Sequence, residues 1–279
     1  MARRRKAELP SVFVLGTGKV GSGLARSLRG SGARVTLRSA RRALPRKVEA
    51  DVVILAVRDR DIPSVASRML AAGRVPRRAV VLHVSGALDA EALAVLRGHC
   101  KGVGQMHPMI SFASVRTTPD LTRGNMHVQG DAAAAARARV LARALGMTPR
   151  TVPRLDPVAY HAAAGLVANG AAALTAVGAD LLEAAGVTRA TAPALLGPLL
   201  RSVADNVEKL GFPEALTGPV RRGDVSGFER HIATLRAKLP RAVPLYLAAA
   251  QAQLPLARAI GDAPRASFDA IERAIRRAT

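Results

Sequence analysis

The sequence is poor in several residue types, and each shortage excludes something. It has one cysteine, Cys100. A single thiol cannot close an intramolecular disulfide or supply a cysteine-based zinc site, and it fits a cytoplasmic protein. Tryptophan is absent and aromatic residues make up only 3% of the chain, so Leu, Val and Ala must fill the interior. The same scarcity leaves no basic stripe interleaved with aromatics, the pattern that single-strand nucleic-acid binders use. No His-x-x-x-His pair and no His/Asp/Glu cluster suggests a metal, so none is expected. Acidic residues number 20 against 42 Lys and Arg, a net charge of +22. Such an excess can attract nucleic acid or anionic ligands. Here the basic residues are scattered, apart from Arg3-Arg4-Arg5-Lys6, Arg41-Arg42 and Arg221-Arg222. Arg far exceeds Lys and Ala is abundant, the bias that G- and C-rich codons produce. That argues against nucleic acid as the partner. The basic segment Met1–Pro10 is followed by no apolar stretch of a secretory signal and reads as a tail.

What is present is a globular chain of 279 residues with 49% apolar content, enough for one large or two modest domains. It is organised around VFVLGTGKVGSG, residues 12–23. Val12–Leu15 is an apolar strand. Gly16-Thr17-Gly18-Lys19-Val20-Gly21 follows, and then a helical stretch begins. Strand, glycine turn and helix is the context in which G-x-G-x-x-G has a physical meaning. Gly16 permits a tight turn, Gly18 admits a pyrophosphate to the backbone, and Gly21 lets the helix pack on the strand. The N–H groups at the helix start then face the phosphates.

Strand and helix patterns alternate through the first half, predicting a parallel α/β sheet. Expected strands run over 33–37, 51–57, 79–84, 102–106, 125–129 and 148–152. A helix starts at Ile62-Pro63, and an Ala-rich one follows Asp131 as its cap. The end of the second strand decides the cofactor. An NAD site has Asp or Glu there for the ribose 2′-hydroxyl. This chain has Arg38-Ser39 and then Arg41-Arg42. A carboxylate repels a 2′-phosphate and a guanidinium grips it, so NADP(H) is expected around Arg38, Ser39 and Arg41 or Arg42, with Val57 at the end of the third strand.

The texture changes at Pro153, which places a boundary between an NADP-binding domain, 1–153, and an all-helical substrate and dimerisation domain, 154–279. Residues 157–185 read as one long helix opened by Asp156 and Pro157. Its apolar middle is long enough to span a membrane. His161, Asn169 and its many small residues favour close helix packing instead, in a core or a dimer. More helices are expected over 191–210, 227–239, 241–260 and 267–277, with a structured loop at 216–224.

Reduction by a nicotinamide cofactor needs a proton donor beside it. His107 falls at a strand end, where a nicotinamide would lie. On the long helix His161, Gly165 and Asn169 share a face at i, i+4, i+8. His161, His107 and Asn169 are the catalytic candidates. Ser85 and Arg222, the latter oriented by Asp224, are candidates for holding an anionic substrate. His83, His99, His127 and His231 read as structural.

The segments VFVLGTGKVG, DVVILAVRDRDI, VVLHVSGAL, QMHPMISF, YHAAAGLVAN and ALTGPVRRGD occur in one order along the chain. In that order they resemble a bacterial group that joins a Rossmann-like domain to a helical domain of unknown function 2520. The resemblance spans nearly the whole chain. It implies kinship with ketopantoate, pyrroline-5-carboxylate and deazaflavin-dependent NADP reductases, and with 6-phosphogluconate and β-hydroxyacid dehydrogenases. It further implies a Rossmann domain followed by an all-α domain, dimerised through the long helix, and NADP-dependent reduction of a small keto acid, ketopantoate-like, or an imine. One departure stands out. Related enzymes carry a catalytic Lys four residues before the helix Asn, whereas Gly165 stands there in this chain. Either His161 takes over the proton role or this helix is not catalytic; the alternative reading of the whole protein is a non-catalytic NADP(H)-binding sensor.

Overall fold

The computed structural model describes residues 8–279; the basic run Arg3–Lys6 lies outside them. The described residues divide into two compact units, the first ending at residue 166 and the second spanning 167–279. The division falls inside one helix rather than at Pro153.

The first unit is a seven-stranded sheet of order β2-β1-β3-β4-β5-β6-β7. Its strands are β1 (Val12–Leu15), β2 (Val35–Arg38), β3 (Val52–Leu55), β4 (Val80–His83), β5 (Gly102–Pro108), β6 (Asn125–Gly130) and β7 (Thr148–Arg150). β1, β3 and β4 are apolar almost throughout because both faces are covered. Alternate side chains feed two separate cores. Val12, Val14, Val52, Ile54, Val80 and Leu82 pack on one face with α1 (Lys19–Gly30) and α3 (Ala132–Ala144). Phe13, Leu15, Val53, Leu55 and Val81 pack on the other with α2 (Ile62–Ala71) and a short 3₁₀ segment, Ala90–Leu96. Each buried Val, Leu or Ile contributes about 1.5–3 kcal/mol.

Two local expectations fail. The sheet is not wholly parallel: β6 runs antiparallel to β5, with His107 opposite His127. The connection 109–124 returns the chain without a crossover helix. It packs on α1, where Phe112 fills the space a side chain at Gly23 would need and Arg26 donates to the Val115 carbonyl at 2.8 Å. Asp131 precedes α3 but makes no capping hydrogen bond. Its carboxylate instead accepts from the Val103 amide at 2.9 Å, at the start of β5.

α4 (Pro157–Ala184) begins in the first unit and continues into the second. Asp156 caps it, accepting from the amides of Val158 and Ala159 at 2.9 and 3.1 Å. α4 is apolar, with mean hydropathy 1.5 over its best window, yet none of its residues is buried. The second unit is all-helical, with α5 (Ala192–Leu210), α6 (Val225–Lys238), α7 (Val243–Ile260) and α8 (Arg265–Ala278). Phe228, Leu247, Leu254, Phe268 and Ile271 form its core. α5 leaves Leu195, Leu199 and Leu210 more than half exposed.

Candidate functional site

β1 has β2 on one side and β3 on the other, so the strand order reverses at its carboxyl end. That is where open α/β sheets bind ligands. The glycine turn sits there. Gly16 has φ +131°, a left-handed conformation that L side chains rarely adopt, and a β-carbon on it would run into the Ala56 carbonyl. A β-carbon on Gly21 would run into the carbonyl of Gly16. These two glycines therefore serve the turn and the packing of α1 on the sheet. Gly18 differs: a β-carbon there would meet nothing within 4 Å. Its bareness opens the backbone to solvent. No side chain caps α1 and no acidic residue stands in its first turn. Its first amides and the positive end of its dipole are thus left for an anion.

Two adjoining clefts meet at this turn. One is lined by Gly16, Thr17, Gly18, Ser39, Arg41, Val57, Arg58 and Asp61, among others. The second is lined by Thr17, Leu37, Arg38, Ser39, Arg42, Ala43 and Pro45. Thr17 and Ser39 border both. The Ser39 hydroxyl accepts from the Arg41 amide at 3.3 Å, which shapes the turn carrying the arginines. Arg38, Arg41 and Arg42 are exposed, and no carboxylate lines the second cleft. Of the expected cofactor residues, Lys19 is exposed at the start of α1, and Val20 is partly buried against the core.

A second cluster gathers at the ends of β4, β5 and β6 and the first turn of α4. Gln105 organises it. Its amide nitrogen donates to the carbonyls of Ser85 and Leu88 at 2.6 and 2.8 Å. Its oxygen must then be the acceptor, and it receives Gln129 Nε2 at 2.9 Å. His127 Nδ1 lies 2.9 Å from the same oxygen and therefore carries its proton. His127 Nε2 is left as a bare lone pair, buried and without a partner. His83 is fixed in the opposite sense. Its Nε2 donates to the Asp89 carbonyl at 2.7 Å, and its Nδ1 accepts from the Ser85 amide at 3.2 Å. Buried and satisfied at both nitrogens, His83 holds the 85–89 loop in shape.

His107 is half-buried, with Nδ1 3.4 Å from the Tyr160 hydroxyl. Its ring meets those of Tyr160 and His161 edge-on, with centroids 5.5 and 5.9 Å away. Burial, then the charges His161 and His127 would carry, push its pKa down to about 4, against the opposing pull of Asp59. Burial also lowers His127 and raises the Tyr160 phenol. Gly86 makes the approach of the two histidines possible. A β-carbon there would lie 2.6 Å from His161 Nδ1 and 2.7 Å from His107 Nε2. Among the described residues, no three His, Cys, Asp or Glu side chains come together as a metal set.

The structure thus brings Ser85, His107 and His161 together. The Ser85 hydroxyl accepts from the Ala87 amide at 3.1 Å, a turn bond that leaves its own proton to donate. Asn169, Arg222 and Asp224 belong to the second unit. Asn169 is exposed on α4. Asp224 caps α6, accepting from the Gly227 amide at 2.8 Å and from the Ser226 hydroxyl at 3.1 Å. The anchored arginine of this loop is Arg221, paired with Asp262 at 2.6 Å, while Arg222 is exposed. Gly86, Gln105 and Tyr160 are not among the candidates the sequence offers, and His127, which reads there as structural, joins them at the site. Their signal was adjacency: Gly86 follows Ser85, and Tyr160 precedes His161.

A mostly parallel sheet with a glycine turn at its switch point, followed by helices, defines a Rossmann-like protein with a helical C-terminal domain. Residues 125–253, from β6 into α7, match the family described as Domain of unknown function (DUF2520). No curated protein matches the chain. Solved structures share its fold. A Bacteroides fragilis protein named as an NADP oxidoreductase is 21% identical, with TM-score 0.67, over 88% of this chain and 98% of that one. The Plasmodium falciparum pyrroline carboxylate reductase, solved with NADP bound, is 12% identical, with TM-score 0.59, over 97% of each chain. A Streptomyces aurantiacus imine reductase is 19% identical, with TM-score 0.53, over 95% of this chain and 99% of its own. At these identities the likeness is one of fold.

Proposed function

We propose that the protein is a cytoplasmic NADPH-dependent reductase of a small keto acid or imine. The observation that carries this reading is the pair of clefts at the glycine turn, the second rimmed by Arg38, Ser39 and Arg42 with no carboxylate. The first accepts a pyrophosphate over Gly18 and the uncapped start of α1; the second accepts a 2′-phosphate. NADPH, when bound, supplies the hydride. The structural neighbours named for NADP and for imine or pyrroline carboxylate reduction support the same reading. Ser85, His107 and His161 then serve the substrate side.

The chain is further proposed to form a homodimer through α4 and α5. The support is the apolar surface of α4, none of it buried, beside exposed Leu195, Leu199 and Leu210 on α5. Sedimentation of the purified protein in the absence of detergent tests it: a dimer is expected, and a monomer that binds vesicles overturns it.

The test of the reductase is titration with NADPH and NADH, followed by NADPH oxidation with 2-keto acids and cyclic imines. NADPH is expected to bind at least ~10-fold more tightly than NADH. Replacing Arg38 and Arg42 together by Ala should abolish that margin, since a charge-assisted hydrogen bond contributes about 1.5–3 kcal/mol. Equal affinities for the two cofactors would remove the 2′-phosphate assignment. Tight NADPH binding without turnover of any substrate would favour a non-catalytic sensor.

A further inference from the structure

We propose that Tyr160 is the group that hands the proton to the substrate, reloaded through His107 and His161; the proposal rests on the reductase reading above. Tyr160 stands in the first turn of α4, where the Asp156 cap fixes the backbone. Its ring lies between two imidazoles, edge-on to His107 and tilted on His127 with centroids 5.4 Å apart. The Gln105 amide locks His127 with its proton toward Gln105, so the buried Nε2 lone pair has no donor of its own. His107 offers Nδ1 to the phenol, at a 3.4 Å separation that is long for a resting hydrogen bond. Catalytic pairs in unliganded enzymes are often long and tighten once substrate is bound.

His107 is a poor first donor. Burial and its histidine neighbours hold it neutral above about pH 4, so no imidazolium is available at working pH. Tyr160 is held in its protonated form by burial. A neutral His107 is, however, well suited to pass a proton, because it can take one at Nε2 while releasing one from Nδ1. His161 is exposed to water, and its Nδ1 converges with His107 Nε2 over the bare Gly86.

The step balances as follows. Hydride addition to the carbon of the C=O or C=N bond leaves an electron pair on oxygen or nitrogen. That atom takes the Tyr160 hydroxyl proton. The phenolate takes the Nδ1 proton of His107, whose Nε2 takes one from protonated His161. His161 recovers its proton from water. The net consumption is one hydride and one solvent proton; His107 stays neutral but ends as its Nε2–H tautomer, and proton exchange with water returns it to the Nδ1–H form before the next turnover. The departure on α4 acquires a physical reading: Gly165 replaces the lysine of related enzymes, and the proton duty moves one turn toward the start of the helix.

The experiment compares wild type, Tyr160→Phe and His161→Ala in NADPH titration, in turnover of 1-pyrroline and a 2-keto acid series, and in 15N NMR of the histidine rings. Tyr160→Phe should lower kcat by about 10²-fold or more, the worth of a general acid, with NADPH affinity unchanged. It should also move the His107 Nδ1 resonance and leave that of His83 in place. His161→Ala should lose less and recover with added imidazole buffer, whereas Tyr160→Phe should not recover. Wild-type turnover in Tyr160→Phe overturns the relay and leaves the reductase reading intact. Binding of NADPH with no wild-type turnover overturns the reductase reading. A His107 Nδ1 resonance indifferent to Tyr160→Phe overturns the contact on which the relay depends.

Discussion

The glycine turn and the histidine cluster both lie in the first unit, and they are assembled in different ways. The turn is made by residues adjacent in sequence, and most of its chemistry is backbone: Gly16 bends the chain, Gly21 lets α1 approach, and the first amides of α1 face outward. The cluster is made by side chains from four separate segments, 83–89, 105–107, 127–129 and 160–161, tied by the Gln105 amide. A backbone site tolerates side-chain changes around it but not a new β-carbon within it. A side-chain site depends on every spacer that keeps its rings apart. The two should therefore fail differently on substitution.

The largest effect should come from Gly16→Ala. It combines a strained φ of +131° with collision against the Ala56 carbonyl. Strain of this kind costs about 1–3 kcal/mol before the clash is added, so a loss of at least ~3 kcal/mol is expected in urea unfolding, with NADPH binding lost. Gly18→Ala is its control. Nothing crowds a β-carbon there, so stability should change by less than ~0.5 kcal/mol while NADPH affinity falls about 10-fold, or ~1.4 kcal/mol. If both variants lose stability equally, the division of labour within the turn is wrong.

Next in size is Gly86→Ala, the corresponding test in the cluster. The new methyl would press on His107 Nε2 and His161 Nδ1, both closer than 3 Å. Misplacing reactive groups by about 1 Å can cost ~10²-fold in rate. kcat should fall by about that factor, with NADPH affinity unchanged because the glycine turn is untouched. A parallel loss of NADPH binding would show that the two regions are not independent.

The same contrast explains what was legible in the sequence. Val12–Gly21 could be read because each step, strand, turn and helix start, is encoded by neighbouring residues. Strands buried on both faces were legible as unbroken apolar runs. Strand direction was not, since the pattern of Asn125–Gly130 is the same whichever way β6 runs beside β5. Asp131 reads as a cap because it precedes an Ala-rich helix, but the Val103 amide, 28 residues away in sequence, competes for its carboxylate and wins. His127 reads as structural, and its Nδ1 is; only the fold shows that its Nε2 is left bare beside Tyr160. Asp224 reads as a partner for Arg222, yet the local capping bond to Gly227 engages it first.

The smallest effect separates the two regions by pH. Folding pulls His107 from an ordinary value of 6.5 down to about 4. Between those values the unfolded chain holds a proton that the folded chain rejects. Stability therefore rises with pH through this window, is complete above about 6.5, and is lost as the pH falls toward 4. At about 1.4 kcal/mol per unit, and with allowance for partial contact with water, His107 accounts for about 2 kcal/mol. Burial lowers it most; of the facing groups, His161, His127 and His83 lower it and Asp59 raises it. His83 and His127 are themselves lowered by burial, so they steepen the wild-type slope in the same direction. Urea unfolding at about pH 7.5 and about pH 5 should show a smaller difference for His107→Gln than for wild type, because Gln has no proton to bind. Gly18→Ala, in the turn, should keep the full wild-type difference. If His107→Gln keeps it as well, His107 is not the buried neutral group at the centre of the cluster, and the proton path through it loses its physical basis.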